Sequence, residues 1–490
     1  MRAFTATIAT ALALAGCGGG SGGADSPVDE ALGHLPDDAA LAIVLTTDLE
    51  GDQYEAAGDI VKRFPFGDQA LDQLRGQLDS QGIDFDEDVR PLLGNEFVLG
   101  VADARDLAGD DPPFVGAVQT SDAGKLEELA QKDSKEIGEA EGAKLYQSDD
   151  TVLAVKDDVA VFGDTREVVE EALEQRGKDD RLREEDVEEA LDGLPEERLG
   201  AVYVNVEELL GADPRSALAR RIPWVGALRT AGATLAVEDK SVAFDIAVNT
   251  EDVEAEDLPF AAGPESPGVS AAEGEIGVGV RDPGQIVRFA EAAGQAVNPT
   301  GFAQYAQGKQ LLEKQLDIDI DRDLVGQLAG DTSVAFDIGG DFGLRAELSD
   351  PAAFEGVLEK LAPAIPGFAE GAGLGSVGVS RPRGGEDFYA IAQAGGGSVV
   401  FGVVDRVLVA SNDPQRAATL AGEQPGPVPG TRGSVVAGAD AEQVANRFLS
   451  GLGGAEALGA SLFTGALGQA TGSIVTSGDG LRARFALAFE

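Results

Sequence analysis

Apolar positions along this chain recur in two rhythms. Short runs rich in β-branched residues at 41–47, 97–102 and 114–120 predict strands, because such side chains suit a pleated, half-buried surface. Other stretches carry apolar residues at i, i+3, i+4 and i+7, as in Val187, Ala190, Leu191 and Leu194, which predicts one buried helix face. Behind Thr165, a good N-cap, Val168, Val169, Ala172 and Leu173 point inward while Glu167, Glu170, Glu171 and Glu174 point outward. Helices are also predicted at 53–63, at 68–81, and after the Ser121-Asp122 cap, where Leu126, Leu129 and Ala130 share a face. Short strands near Leu145, Leu153 and Val161, with Asp149, Asp150, Asp157 and Asp158 at their turns, predict an antiparallel meander. A strand at 200–204, a helical pair ending near Trp224 and a hairpin follow. The hairpin's last arm alternates Val242, Phe244, Ile246 and Val248 on one face.

The order then repeats. Ile83-Asp84-Phe85-Asp86-Glu87-Asp88-Val89, running to Leu93-Gly94-Asn95-Glu96, returns as Ile318-Asp319-Ile320-Asp321-Arg322-Asp323-Leu324, running to Ala329-Gly330-Asp331-Thr332. An apolar strand follows each copy at once. Ser349-Asp350 repeats the cap at Ser121-Asp122, Gly385 and Tyr389 echo Gly142 and Tyr146, and 403–409 echoes 154–161. The closing hairpin alternates Leu481, Ala483, Phe485, Leu487 and Phe489. The chain has 490 residues, too many for one ordinary core. The expected architecture is therefore two tandem, duplicated α+β domains, each a mostly antiparallel sheet flanked by helices. They span 28–250 and 269–490. The acidic stretch 251–268, with Pro259, Pro264 and Pro267 and no periodicity, reads as the linker.

The N-terminus bears on location. Arg2 and the apolar run 3–15 lead into Leu14-Ala15-Gly16-Cys17, which resembles the lipobox of bacterial lipoproteins. The resemblance implies removal of residues 1–16, lipidation of Cys17 and a Gly/Ser-rich tether over 17–27. No paired arginines precede the apolar run, so export by the general secretion route is expected. The outer face of the cytoplasmic membrane is the expected location, with the lipid and not a helix as anchor. Cys17 is the sole cysteine, which removes the material for disulfides, zinc–thiolate sites and thiol catalysis. The formal charge of -50 repels nucleic acid and attracts cations and basic partners, and its preferred role is to keep an exported protein soluble.

A family resemblance rests on particular residues: Leu35-Pro36-Asp37-Asp38-Ala39-Ala40-Leu41, Gly51-Asp52-Gln53, Arg63-Phe64-Pro65, and the Asp-rich element through Arg90-Pro91-Leu92-Leu93-Gly94. Together they resemble an uncharacterised bacterial lipoprotein family, domain of unknown function 3352. The likeness is best over 28–250. It implies no activity.

Several chemistries lack their residues. His34 is the only histidine and sits in a polar, Gly- and Pro-flanked segment, so neither a Ser-His-Asp triad nor a multi-histidine metal site is expected. Asp84, Asp86 and Asp88, with Asp319, Asp321 and Asp323, alternate as the first ligands of a calcium loop do. The turn glycine and terminal glutamate of an EF-hand are missing. Capping of a short helix is the preferred role. Gly373-Leu374-Gly375-Ser376-Val377-Gly378 spells a dinucleotide pattern in the wrong context, after a helix and before a strand. Arg220, Arg221 and Arg229, with Arg215, surround the only tryptophan, Trp224, a candidate for an anionic ligand or lipid headgroup; pairing of the arginines with neighbouring carboxylates, with Trp224 packed under a helix, is the preferred role. The matching region 451–470 has no basic residue, and its Leu452, Leu458, Leu462 and Leu467 suggest an apolar helix. The expectation is a lipid-anchored envelope protein that binds or scaffolds without catalysis or cofactor. Its partner is the membrane, through the lipid, together with an envelope protein or an amphiphilic ligand. The rivals are a carrier of an apolar or amphiphilic ligand and a carboxylate-dependent hydrolase of wall material.

Overall fold

The computed structural model describes residues 26–64, 76, 84–109, 111–148, 151–371, 377–381, 388–393, 397–452 and 464–490. Cys17 and its tether up to residue 25, the helix expected at 68–81 apart from Gly76, Asp149, Asp150, Gly373 to Ser376, Gly385, Leu458 and Leu462 lie outside them. Contacts divide the chain into two compact units. One holds the residues up to Ala217 with Leu228–Asn249 and Phe489–Glu490; the other holds Leu218–Ala227 and Thr250–Ala488.

In the first unit, strands β1 (Leu41–Leu45), β2 (Phe97–Val101), β3 (Val115–Gln119), β4 (Lys135–Ala140), β5 (Ala143–Ser148), β6 (Thr151–Lys156), β7 (Val159–Gly163), β8 (Gly200–Asn205), β9 (Leu228–Glu238) and β10 (Ser241–Thr250) build an antiparallel sheet. The order is β9-β8-β1-β2-β3-β7-β6-β5-β4, with β10 beside β9. Helices α1 (Pro27–Leu32), α2 (Asp52–Val61), α3 (Ala123–Asp133), α4 (Arg166–Gln175), α5 (Glu184–Ala190) and α6 (Val206–Ala212) surround it. On one face Ala42, Val44, Val98, Ala117 and Val161 meet Leu32 of α1, Val169 and Leu173 of α4 and Val187 of α5. On the other, Phe97 packs with Leu45, Tyr54, Phe85 and Phe162, the Phe97 and Phe162 rings stacked at 5.5 Å. Gly116 makes room for that ring, since a Cβ there would lie 2.1 Å from Phe162. Each such aromatic or aliphatic burial stabilises the fold by roughly 1.5–3 kcal/mol.

The second unit has β11 (Ile276–Arg281), β12 (Asp331–Phe336), β13 (Phe342–Glu347), β14 (Val377–Ser380), β15 (Phe388–Gln393), β16 (Ser398–Val404), β17 (Val407–Ser411), β18 (Val435–Asp440), β19 (Leu467–Ser477) and β20 (Gly480–Phe489). Its order, β19-β18-β11-β12-β13-β17-β16-β15-β14, repeats that of the first unit pairing for pairing. Helices α7 (Pro283–Val297), α8 (Pro299–Leu316), α9 (Pro351–Leu361), α10 (Pro414–Gly422) and α11 (Ala441–Leu452) accompany it. The caps repeat too: Asp122 and Asp350 accept N–H groups at α3 and α9, and Thr165 and Asp413 do so at α4 and α10. Asp157 and Asp405 hold the same left-handed turn position, with φ of 51° and 53°. The fold is α+β, with antiparallel sheets flanked by helices.

The structure departs from the expected pattern, or adds to it, at four places. β4 was not foreseen: its Lys135, Glu136 and Glu139 give no apolar alternation, as suits an edge strand, and it carries an irregularity between Glu136 and Gly138. On β10 the buried side chains are Ala243, Asp245 and Ala247, while Phe244 is 43% exposed. Alternation says which residues share a face, not which face is covered. The stretch 251–268 is built into the second unit and is no free linker. Leu258 is fully buried, and Gln285 Nε2 donates to the carbonyls of Ala255, Glu256 and Leu258 at 3.3, 3.2 and 2.7 Å. Its contribution is mostly main-chain acceptors, which leave no side-chain pattern. Finally, α11 ends at Leu452, and Leu467 opens β19, where Gln469 and Ala470 pair with Asp440 and Ala439 of β18. A helix across 451–470 is thus replaced by strand at its end.

Candidate binding site

A cavity of about 280 Å³ opens in the first unit where β1 ends and β8 begins. Its floor is apolar: Val28 and Leu32 come from α1, Val44 from β1, Val187 from α5 and Ala201 from β8. Its rim is acidic, with Glu96, Glu184, Glu188, Glu196 and Glu197. Glu96 stands at the mouth because the Asp-rich element turns the chain into β2 there; continuing the β1–β2 register by one residue sets it opposite Thr46. Thr46 Oγ1 donates to the carbonyls of Arg198 and Leu199 at 3.2 and 3.3 Å, which ties β1 to the chain entering β8. Glu184 is the first residue of α5; its side chain accepts from Ser26 Oγ and its N–H donates to Asp29 at 3.1 Å.

The charges do not balance. Among the described residues Arg198 is the only basic one lining the cavity, and it already pairs with Glu188. Burial pushes the Glu96 carboxyl above its ordinary range. Its own N–H and Arg198 pull it down, while Glu184 and Asp48 add to the rise. A carboxylate in this state gains most from an arriving cation. Beside the cavity, and sharing Glu196 and Glu197 with it, runs a groove of about 750 Å³ that is also lined by Asp52, Glu55, Asp59, Glu238 and Asp239. Gln53 fixes the groove wall by exchanging two hydrogen bonds with Val237, at 3.0 and 2.8 Å.

The residues singled out from the sequence lie elsewhere. Asp84 Oδ1 accepts the N–H groups of Asp86 and Glu87, both at 2.9 Å, and Asp88 accepts that of Asp84 at 2.9 Å while its other oxygen faces Lys125 Nζ at 3.0 Å. Asp86 pairs with Arg90. In the second copy Asp319 accepts from Arg322 N–H and Asp323 accepts from Asp319 N–H, each at 2.9 Å. The aspartates thus cap their own turns. Glu313, Asp319 and Asp321 approach one another closely enough to share an ion, but Glu313 accepts the Ile320 N–H and Asp321 pairs with Lys309. Among the described residues the first copy forms no such group.

The arginine cluster divides. Arg220, Arg221 and Trp224 fall in the second unit and Arg215 and Arg229 in the first. Arg215 pairs with Asp213 and Arg229 with Glu207. Arg220 and Arg221 are exposed on one short turn, and the buried Trp224 indole N–H has no hydrogen-bond partner. His34 is a core residue, 4% exposed, with Nδ1 3.0 Å from the Ala172 carbonyl oxygen.

Sequence reasoning missed Glu96 and Glu184. One signal was present: each copy of the Asp-rich element ends in a carboxylate at the mouth of its strand. The two reciprocal caps at Asp84 and Asp319 align Glu96 with Asp331, one place off the alignment by residue type that sets Asn95 against Asp331. No helix among the described residues is long and apolar enough to cross a membrane.

A model of the family described as Protein of unknown function (DUF3352) matches residues 4–362. No curated protein matches the sequence. Among solved structures, crystal form III of TP0453 is similar at 8% identity, covering 46% of this chain and 81% of that one with a TM-score of 0.26. Crystal form I covers 47% and 81% at 8% identity with a TM-score of 0.27.

Proposed function

The chain belongs to the DUF3352 family of proteins of unknown function, and from that premise we propose that it is a lipid-anchored binding protein of the bacterial cell envelope that performs no catalysis. Cys17 carries the anchor in this reading; Cys17→Ala then moves the protein from the membrane fraction to the soluble one, and retention on the membrane would refute the anchor. We propose in addition that the two halves arose by duplication, which the repeated strand order and caps support.

The observation that carries the binding reading is the cavity at Glu96. It joins an apolar floor to a rim with more carboxylates than cations, which suits a ligand that is apolar in body and cationic at one end. Titration calorimetry with n-octylammonium and with n-octanol tests it. The expected result is one octylammonium bound per chain, weakened about tenfold by Glu96→Gln, with octanol binding more weakly. No heat from octylammonium, or equal binding by Glu96→Gln, refutes the reading.

Hydrolysis of wall polysaccharide is a second reading, favoured by the raised Glu96 carboxyl lying in one cavity with Glu184. Release of reducing sugar from purified wall, lost in Glu96→Gln, would establish it in place of the first.

A further inference from the structure

The second unit carries a filled counterpart of this cavity. Thr46 N–H donates to the Leu199 carbonyl at 3.2 Å, and Arg281 N–H donates to the Ser434 carbonyl at 2.8 Å. Asn205 caps α6 as Asp440 caps α11, the same interval along β8 and β18. These matches make Arg281 the counterpart of Thr46, Ser434 that of Leu199, Asp331 that of Glu96 and Gly279 that of Val44.

All four counterparts hold one stretch of chain, residues 261–268, which bends at Gly263 (φ 112°). The Arg281 guanidinium, 16% exposed, donates to the carbonyls of Ala261, Ala262, Gly263 and Glu265 at 3.1, 2.6, 3.2 and 2.6 Å, and to the Glu265 carboxylate at 3.0 Å. Ser434 Oγ also donates to the Ala261 carbonyl, and the Asp331 carboxylate accepts the Gly268 N–H. At Gly279 the main chain comes so near that a Cβ would lie 2.9 Å from the Gly268 carbonyl oxygen.

In the first unit the chain before β1 is instead wound into α1, drawn into the core by Ala31 and Leu32. The position of Arg281 is taken by the neutral Thr46. What remains is a cavity whose carboxylates have lost the built-in cation. We propose that this cavity seats a basic segment of a partner protein, one lysine or arginine side chain lying over Thr46 between Glu96 and Glu184. The volume admits one such side chain with its adjoining main chain. Glu196 and Glu197 lead from the cavity into the acidic groove, which receives further basic residues of the same segment. This inference rests on the binding reading and gives the ligand its chemical class.

Two fluorescein-labelled decapeptides test it against the full chain by fluorescence anisotropy. One copies residues 261–270 of this protein; the other carries Glu265→Arg. The arginine peptide is expected to bind at least about tenfold more tightly than its acidic parent. Thr46→Arg, which installs the counterpart of Arg281, abolishes that binding, and Glu96→Gln weakens it about tenfold. Circular dichroism of both variants checks that they fold. Equal binding of the two peptides, binding by neither, or binding that survives both variants overturns the proposal. If octylammonium binds where the arginine peptide does not, the ligand is a cationic amphiphile: the peptide proposal falls and the binding reading stands. If neither binds, both fall.

Discussion

At the scale of single residues, the histidine shows how little a residue's neighbours in sequence say about its surroundings. His34 follows α1 in a Gly- and Pro-flanked segment, yet the fold closes over it. Nδ1 donates to the Ala172 carbonyl, and Nε2 is buried without a partner. Burial holds its pKa below the ordinary 6.5; the Ala172 bond and Glu30 oppose that shift, and Arg176 and Lys156 add to it. The neutral ring is therefore the form the fold accepts. Between the lowered folded value and 6.5 the unfolded chain binds the extra proton, so stability rises with pH through that window. The stability is present above 6.5 and lost as pH falls through the folded value. Urea unfolding of the parent and of His34→Asn, followed from about pH 7 to about pH 5, should show the parent losing stability relative to the variant. Parallel curves would mean that the ring is not desolvated. Glu96 is the converse case, where burial raises a carboxyl. Neither environment is written locally, because each depends on chain far away in sequence: α4 for His34, α5 and the chain entering β8 for Glu96.

At the scale of elements, the Asp-rich turns were read well and for a physical reason. An aspartate before a turn of exposed N–H groups can satisfy several of them at once, and the reciprocal bond from the residue four places on closes the motif. Asp84 with Asp88, and Asp319 with Asp323, do this alike. Asp84→Ala should then cost about 1 kcal/mol of unfolding free energy. The loss should be the same in calcium and in a chelator. A loss confined to calcium-containing buffer would restore the cation role. The helix behind Thr165 was equally legible: α4 buries Val169, Ala172 and Leu173 as the spacing predicts, since several apolar positions agree on one period. β4 was not legible because an edge strand exposes polar side chains on both sides. The stretch 251–268 misled because its order comes from Arg281 and Gln285 holding carbonyls, and a carbonyl has no letter of its own.

At the scale of the whole molecule, the α+β class and the repeated order follow from the sequence, because long-range pairing preserved the order of strands, turns and caps in both halves. What the sequence did not give up is the difference between the halves. Thr46 against Arg281 reads as an ordinary substitution until the register places both at the same mouth, one open and one closed by the chain's own segment. The formal charge of -50 acts over the same scale. Among the surface ion pairs, contacts such as Lys62–Asp59 and Arg90–Asp86 are exposed and contribute little, so repulsion among the remaining carboxylates is only partly answered. Salt screens that repulsion, with a Debye length near 10 Å at about 0.1 M. Raising NaCl from about 0.02 M to about 0.5 M should therefore shift the urea midpoint upward while weakening octylammonium binding, because the same screening removes the attraction at the Glu96 rim. The two responses have opposite signs, so neither can be mistaken for a general effect of salt on the protein. If affinity instead rises with salt, the apolar floor and not the carboxylate rim drives binding, and the cavity belongs to an uncharged ligand.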